Sequence, residues 1–388
     1  MKYLIYLIIF FVGIKSYSQF STPIAGKYLE DYFIVNYFDH SKDSIVIDYN
    51  CLKKTYKSNL GTDFIIKSFK AMDDSIPVLA ANDGIVVLLI DSLFDRNMDL
   101  TEKGLGNYIC ISHPSKYFAY YANLRKNSAR VQLGSSVKRG DTIAFVGSSG
   151  YSSDPRLHFE LWKDNLPLDP FMGNCNKITK SLWLTDLIYK NDLFVFDKGF
   201  SNANLDLVQL KERTGVKDKF IFKDTTITFW TLLSGIKKDD KIKVEWLNSN
   251  NDLFYSAESI SDTSSNYYYW WSSIPFPKND SNGVWTLKYY INNNILLTEN
   301  FTVDNIVGVN EFINPEFSIK ENNSSISIHL NNQISSVQVY NLSGELIETS
   351  VNLAQDYYLE KAKYPTGIYF IKVIDILNHS YFRKILIY

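Results

Sequence analysis

The sequence is short of several things that announce large protein classes. It has three Cys, none spaced as C-x-x-C, which excludes a disulfide framework, a zinc ribbon and a thioredoxin-type centre. It has no excess of positive charge: 40 Lys plus Arg face 42 Asp plus Glu, a formal net charge of −2. No local cluster of Lys and Arg makes up for that, so the field that neutralises many phosphates is missing and nucleic acid is excluded as a partner. After Ile14 no apolar run is long enough to cross about 30 Å of hydrocarbon, and the mature chain is expected to lack a transmembrane helix. From Lys27 to Phe171 there is no amphipathic helical stretch of any length. What the chain does have is aromatic residues, 27 Tyr and 25 Phe among them, and flat ringed side chains suit the half-buried surface of a pleated sheet. The expectation is a mainly β protein of two or three domains.

Lys2 followed by the apolar segment Tyr3 to Ile14 reads as the core of a secretory signal. Ser16 and Ser18 supply the small residues of a cleavage site, so residues 1–18 are expected to be a signal peptide and the mature chain to begin near Gln19. Residues 19–181 then form the first domain: short apolar runs at Gly84 to Ile90, Asn107 to Ile111, Tyr117 to Tyr121 and Thr142 to Val146 are punctuated by Gly, Asp, Asn and Pro, as in a β meander. Residues 182–305 alternate charged and apolar positions, as in Lys241, Ile242, Lys243, Val244, Glu245 and Trp246. One face is apolar and the other wet, which suits an immunoglobulin-like β-sandwich. The aromatic block Tyr267 to Trp271 invites a reading as a sugar-stacking platform. Successive strand residues point to opposite faces, however, so packing is the expectation there.

Residues 306–388 make a third, sandwich-like unit. Val337 to Tyr340, the turn Asn341 to Gly344, Pro365 to Val373 and the closing Arg383 to Tyr388 together resemble the C-terminal sorting domain of the type IX secretion system of Bacteroidetes, over about the last 75 residues. The resemblance implies export across the outer membrane, to the medium or the cell surface, with the type IX machinery as a partner.

Chemistry is concentrated in the first domain. Asn59-Leu60-Gly61-Thr62-Asp63 is followed by Tyr121-Ala122-Asn123-Leu124 and then by Arg156-Leu157-His158-Phe159-Glu160-Leu161. In that order these segments resemble the lysostaphin and LytM type zinc endopeptidases that cut peptidoglycan cross-bridges, whose fold is an antiparallel β domain of duplicated-hybrid-motif type. The likeness runs from about Lys57 to Pro170. Members read H-x-G-x-D, Y-A-H-L and H-L-H-F-E-L. The resemblance therefore implies metal positions at Asn59, Asp63 and His158, and assisting catalytic positions at Asn123 and Arg156.

Three of those five positions are substituted. Catalytic zinc takes three protein donors and keeps one place for the water it acidifies, yet only Asp63 and His158 retain the family residue. The carbonyl of Asn59 is a hard, weak donor. Strand period puts Arg156 on the face of His158, where its charge repels a divalent ion and offers a fork to a carboxylate. Asn123 does not titrate near neutral pH and cannot serve as acid or base.

The expectation is a degenerate, inactive relative without cofactor that binds cell-wall peptide or regulates other hydrolases, with peptidoglycan or a cell-wall hydrolase as partner. The alternatives are an active zinc endopeptidase that recruits Asp154 or His113 as a third ligand, and a purely structural surface protein. His113 reads as a turn or packing residue, Glu160 as a family feature on the face of His158, and Cys110 as a buried thiol. A Cys51–Cys175 bridge is left open.

Overall fold

The computed structural model describes residues 19–43, 45–98, 100–101, 103–278, 280, 282–304, 317–351 and 354–388. The expected signal segment 1–18 lies outside the described residues. Those up to Asp304 form one compact unit and those from Phe317 another.

In the first unit, β1 (Tyr32–Asn36) and β2 (Thr62–Ile66) precede a short helix, α1 (Phe69–Asp73). Then come β3 (Pro77–Leu79), β4 (Gly84–Ile90), β5 (Asn107–His113), β6 (Tyr117–Leu124), β7 (Ser136–Val137), β8 (Thr142–Phe145), β9 (Arg156–Lys163) and β10 (Leu166–Leu168). Eight of them make one antiparallel sheet, ordered β1-β2-β9-β6-β5-β4-β7 with β10 added to β9, while β3 and β8 pair separately. The four runs read from the sequence become β4, β5, β6 and β8. One face of the large sheet carries Ile109, Ile111, Ala119, Tyr121, Leu157, Phe159 and Leu161 into a core shared with Phe20, Phe64, Phe171 and Trp183. Because strand side chains alternate, Arg156, His158, Glu160 and Trp162 on β9 project from the opposite face. Chain beyond residue 181 also lies on this core, through Trp183, Leu187 and Tyr189.

A disulfide joins Cys51 to Cys175, with their Cα atoms 5.2 Å apart. Cys110 is a free, buried thiol, as expected.

The following segment builds a three-stranded sheet from Phe194–Ser201, Thr226–Ser234 and Tyr268–Pro275. A five-stranded sheet faces it, with Gly283–Ile291 and Lys241–Leu247 at its centre. Thr226–Ser234 is buried along its whole length. Ile227, Phe229 and Leu233 enter the sandwich core, whereas Trp230 and Leu232 pack with Phe33, Val35 and Ile65 of β1 and β2. The aromatic block splits in the same way, with Tyr269 on the β1–β2 side and Trp270 in the sandwich core. It forms no platform.

In the second unit, a three-stranded sheet and a four-stranded sheet enclose a core of Ile326, Ile328, Val337, Val339, Ile371, Val373 and Ile385. Gly344 adopts φ +80° in the turn between two of these strands, a conformation glycine takes without penalty.

Candidate functional site

The site is assembled by register. Asp63 on β2 lies directly opposite His158 on β9, and His158 opposite Ala122 on β6. Gly61 lets β2 come this close, because a Cβ there would meet the Phe159 carbonyl oxygen at 2.5 Å and His158 Cε1 at 2.9 Å. Asn123 sits at φ 57°, a left-handed conformation that Asn adopts more readily than most residues. The five positions marked by the motifs all come together, around a cleft of about 300 Å³ lined by Tyr56, Asn59, Asn123, Tyr151, Arg156, His158 and Glu160. Asp63 lies beneath it with no exposure.

Asp63 Oδ1 and His158 Nδ1 are 2.8 Å apart, and Asn36 Nδ2 donates to Asp63 Oδ2 at 2.9 Å. On the far side of the imidazole, His158 Nε2 is 3.1 Å from Glu160 Oε1, and the Trp162 indole donates to Glu160 Oε2 at 2.7 Å. Arg156 Nε is 3.7 Å from Asp63 Oδ1. The guanidinium donates through Nε to Asn123 Oδ1 at 3.3 Å and through Nη2 to the Tyr151 carbonyl at 2.7 Å. Both ends of the Asn59 amide are occupied: Nδ2 donates to the Tyr37 carbonyl and Oδ1 accepts from Gly61 N–H.

Burial alone would raise Asp63, but the Arg156 charge and the His158 hydrogen bond bring it down to about 2. Burial alone would lower His158. Its hydrogen bonds to Asp63 and Glu160 outweigh that and lift it to about 9. Burial likewise opposes ionisation of Glu160, which its hydrogen bonds from His158 and Trp162 hold below the usual carboxylate range. At neutral pH two cations, Arg156 and His158, therefore balance two carboxylates, Asp63 and Glu160.

Residues 58–170 match the model of Peptidase family M23, and residues 322–388 match that of the Secretion system C-terminal sorting domain. The chain carries an M23 peptidase-family domain. The peptidoglycan DD-endopeptidase ShyB of Vibrio cholerae is 34% identical over 122 residues, covering 31% of this chain and 24% of the relative. An uncharacterized metalloprotease of Buchnera aphidicola is 30% identical over 152 residues, 39% of this chain and 34% of its own length. Among solved structures, a zinc containing peptidase from Vibrio cholerae aligns at 27% identity over 39% of each chain, with a TM-score of 0.28. This chain thus spans about a third or less of the length of the relatives it matches. The sorting domain marks the chain for export across the outer membrane. Among the described residues no helix is long and apolar enough to cross a membrane.

M23 is a zinc-dependent family, and the residues of this M23 domain do not fit that ion. Only Asp63 and His158 converge as donors, while Glu160 meets the other imidazole nitrogen, on the side away from Asp63. Asn59 is turned to backbone groups, and a permanent cation, Arg156, stands 3.7 Å from Asp63 Oδ1. The third ligands considered from sequence are elsewhere. His113 opposes Tyr117 and bonds through Nδ1 to the Asp83 carbonyl, with Tyr121 OH at 3.5 Å, while Asp154 pairs with Lys211 at 2.7 Å. Among the described residues no group of three His, Cys, Asp or Glu is placed to hold a metal.

The sequence reading missed Asn36, which fixes Asp63, and Tyr56 and Tyr151, which wall the cleft. Trp162 was within reach, since strand period from His158 through Glu160 puts it on the same face.

Proposed function

We propose that the M23 domain of this exported chain has no peptidase activity and binds cell-wall peptide in its cleft, either to retain the protein at the wall or to regulate hydrolases that act there. Arg156 carries this reading: its guanidinium lies beside Asp63 and His158, where the chemistry would require a metal-activated water. The two assisting imidazoles are replaced by Arg156 and Asn123, neither of which exchanges a proton at neutral pH. A cleft is present, with exposed Tyr56 and Tyr151 as walls and Arg156 as a donor for carbonyl or carboxylate groups. Peptidoglycan is suggested as ligand by the activity named for the ShyB relative.

The test pairs metal analysis with binding. Purified protein, supplied with zinc and dialysed, is expected to hold far less than one equivalent, to leave peptidoglycan uncut and to sediment with insoluble peptidoglycan. Arg156→Ala is expected to weaken that retention by about tenfold, the loss of one charged hydrogen-bonding anchor. One tightly held zinc per chain with cleavage would overturn the inactive reading, and failure of the wild type to sediment would overturn the binding role.

A further inference from the structure

The face of the sheet that carries the cleft continues past Glu160 into a second depression, of about 270 Å³, which the peptide-binding role does not use. Register assembles it. Tyr120 on β6 opposes Glu160 on β9 and Cys110 on β5, Phe118 opposes Trp162, and Leu88 on β4 opposes Cys110. The residues between them, Leu161, Tyr121 and Ile109, enter the core, so this set projects outward. The Tyr120 ring lies 6.1 Å from Tyr108 and 6.2 Å from Trp162. Cys110 is small and buried, which leaves a hollow among larger neighbours.

Two properties select the ligand. The lining, Val87, Leu88, Cys110, Phe118, Tyr120, Trp162 and Asn165, contains no Asp, Glu, Lys or Arg, so it suits an uncharged group. Of the strands beneath it, β5, β6 and β9 each have a neighbour on both sides, whereas β4 pairs with β7 only at Gly84 and Ile85. The backbone groups of β5, β6 and β9 are committed to the sheet, so over those three strands an extended peptide cannot be held by adding a strand. What the surface offers is partly exposed aromatic rings inclined to one another, with the exposed Asn165 at the rim. A pyranose matches that combination, with C–H groups on its faces and hydroxyls around its edge.

We infer that this depression is a glycan subsite in which an uncharged pyranose ring stacks on Trp162, with the Tyr120 ring, inclined 61° to it, as a side wall. The inference rests on the peptide-binding reading of the neighbouring cleft, to which it is joined by the Trp162–Glu160 hydrogen bond of 2.7 Å. A ligand that carries both peptide and sugar would bridge the two.

Calorimetric titration of the full chain separates the possibilities, with a peptide-free N-acetylglucosamine oligomer in one arm and a sugar-free stem peptide in the other. The oligomer is expected to bind. Trp162→Ala should weaken it by about tenfold or more, and Trp162→Phe, which keeps a ring but loses the bond to Glu160, should recover binding to within about threefold of wild type. Leu88 is 44% exposed, so Leu88→Asp keeps the fold while placing charge in the hollow, and should weaken the oligomer to a similar degree. Oligomer that does not bind wild type, or binds Leu88→Asp as well as wild type, overturns the subsite. So does a dimer that Leu88→Asp dissolves while the oligomer stays unbound, which would give this face to a second copy of the chain. If the oligomer binds and the peptide does not, the cleft reading fails and the subsite stands.

Discussion

Arg156 and the proton on His158 together supply two positive charges beside Asp63, the charge that a divalent ion would bring. The geometry differs, because a guanidinium needs room for planar donors and approaches Asp63 only to 3.7 Å, reaching Asn123 and the Tyr151 carbonyl instead. Restoring a metal site therefore takes more than removing the cation. Arg156→His alone should leave zinc below one equivalent, since Asn59 still faces Tyr37. Asn59→His, Asn123→His and Arg156→His combined should bring stoichiometric zinc, measured by elemental analysis after dialysis. At φ 57° the new imidazole at 123 is tolerated, His being among the residues that enter the left-handed region. If the triple variant folds and stays metal-free, donor count is not what blocks the site. Asp63 itself is the residue the local charge balance depends on. Asp63→Ala leaves two cations without their buried partner and should cost about 3–5 kcal/mol in chemical denaturation. A loss below about 1 kcal/mol would mean that water compensates them.

Among the elements, the segment 48–60 shows what the sequence disclosed and what it did not. The Asn59-to-Asp63 motif was legible because its spacing is local, and β2 lies where the motif ends. Tyr56 and the buried Lys54 were not legible, because their surroundings come from distant chain. Lys54 Nζ donates to the Lys190 carbonyl at 2.6 Å and stands about 6 Å from the rings of Phe33, Tyr37 and Tyr189. Burial lowers it from 10.5 to about 8, against the pull of Asp48. A lysine depressed in the fold is charged in both states below pH 8, where its penalty is complete. Between pH 8 and 10.5 the unfolded chain binds more protons than the folded one, so stability rises with pH there. Lys54→Met should abolish that rise, which amounts to at most about 3 kcal/mol, in urea titrations compared at pH 7.5 and 9.5. Equal pH slopes for both proteins would refute a depressed Lys54. The Cys51–Cys175 bridge spans 124 residues and ties the same segment to the chain after β10. Replacing both by Ser should cost about 2–5 kcal/mol, read as a lower thermal midpoint that reducing agent no longer shifts.

For the whole molecule, the two β-rich segments before Asp304 were read as separate domains from their textures. Their association through Thr226–Ser234 was not visible, because a strand buried on both faces reads like any apolar run. Trp230 and Leu232 look outward from the sandwich, yet they meet β1 and β2. Arg213 adds a hydrogen bond of 2.6 Å to the Lys67 carbonyl and stacks over Trp230 at 4.1 Å. Lys211 pairs with Asp154 in the loop that leads to Arg156, so this contact also steadies one wall of the cleft. The sorting domain is different in kind, since its core is made from its own residues, Phe317 to Ile387. Deleting residues 317–388 should therefore leave the thermal midpoint of the remainder within about 2 °C of its value in the full chain, as for a unit with a complete core of its own. In a host that carries the type IX machinery, the truncated chain should lose export across the outer membrane and accumulate in the periplasm, scored by protease accessibility on intact cells. A truncated chain that still reaches the surface would show that the address lies in the first unit. One that unfolds would show that the two units depend on each other despite their separate cores.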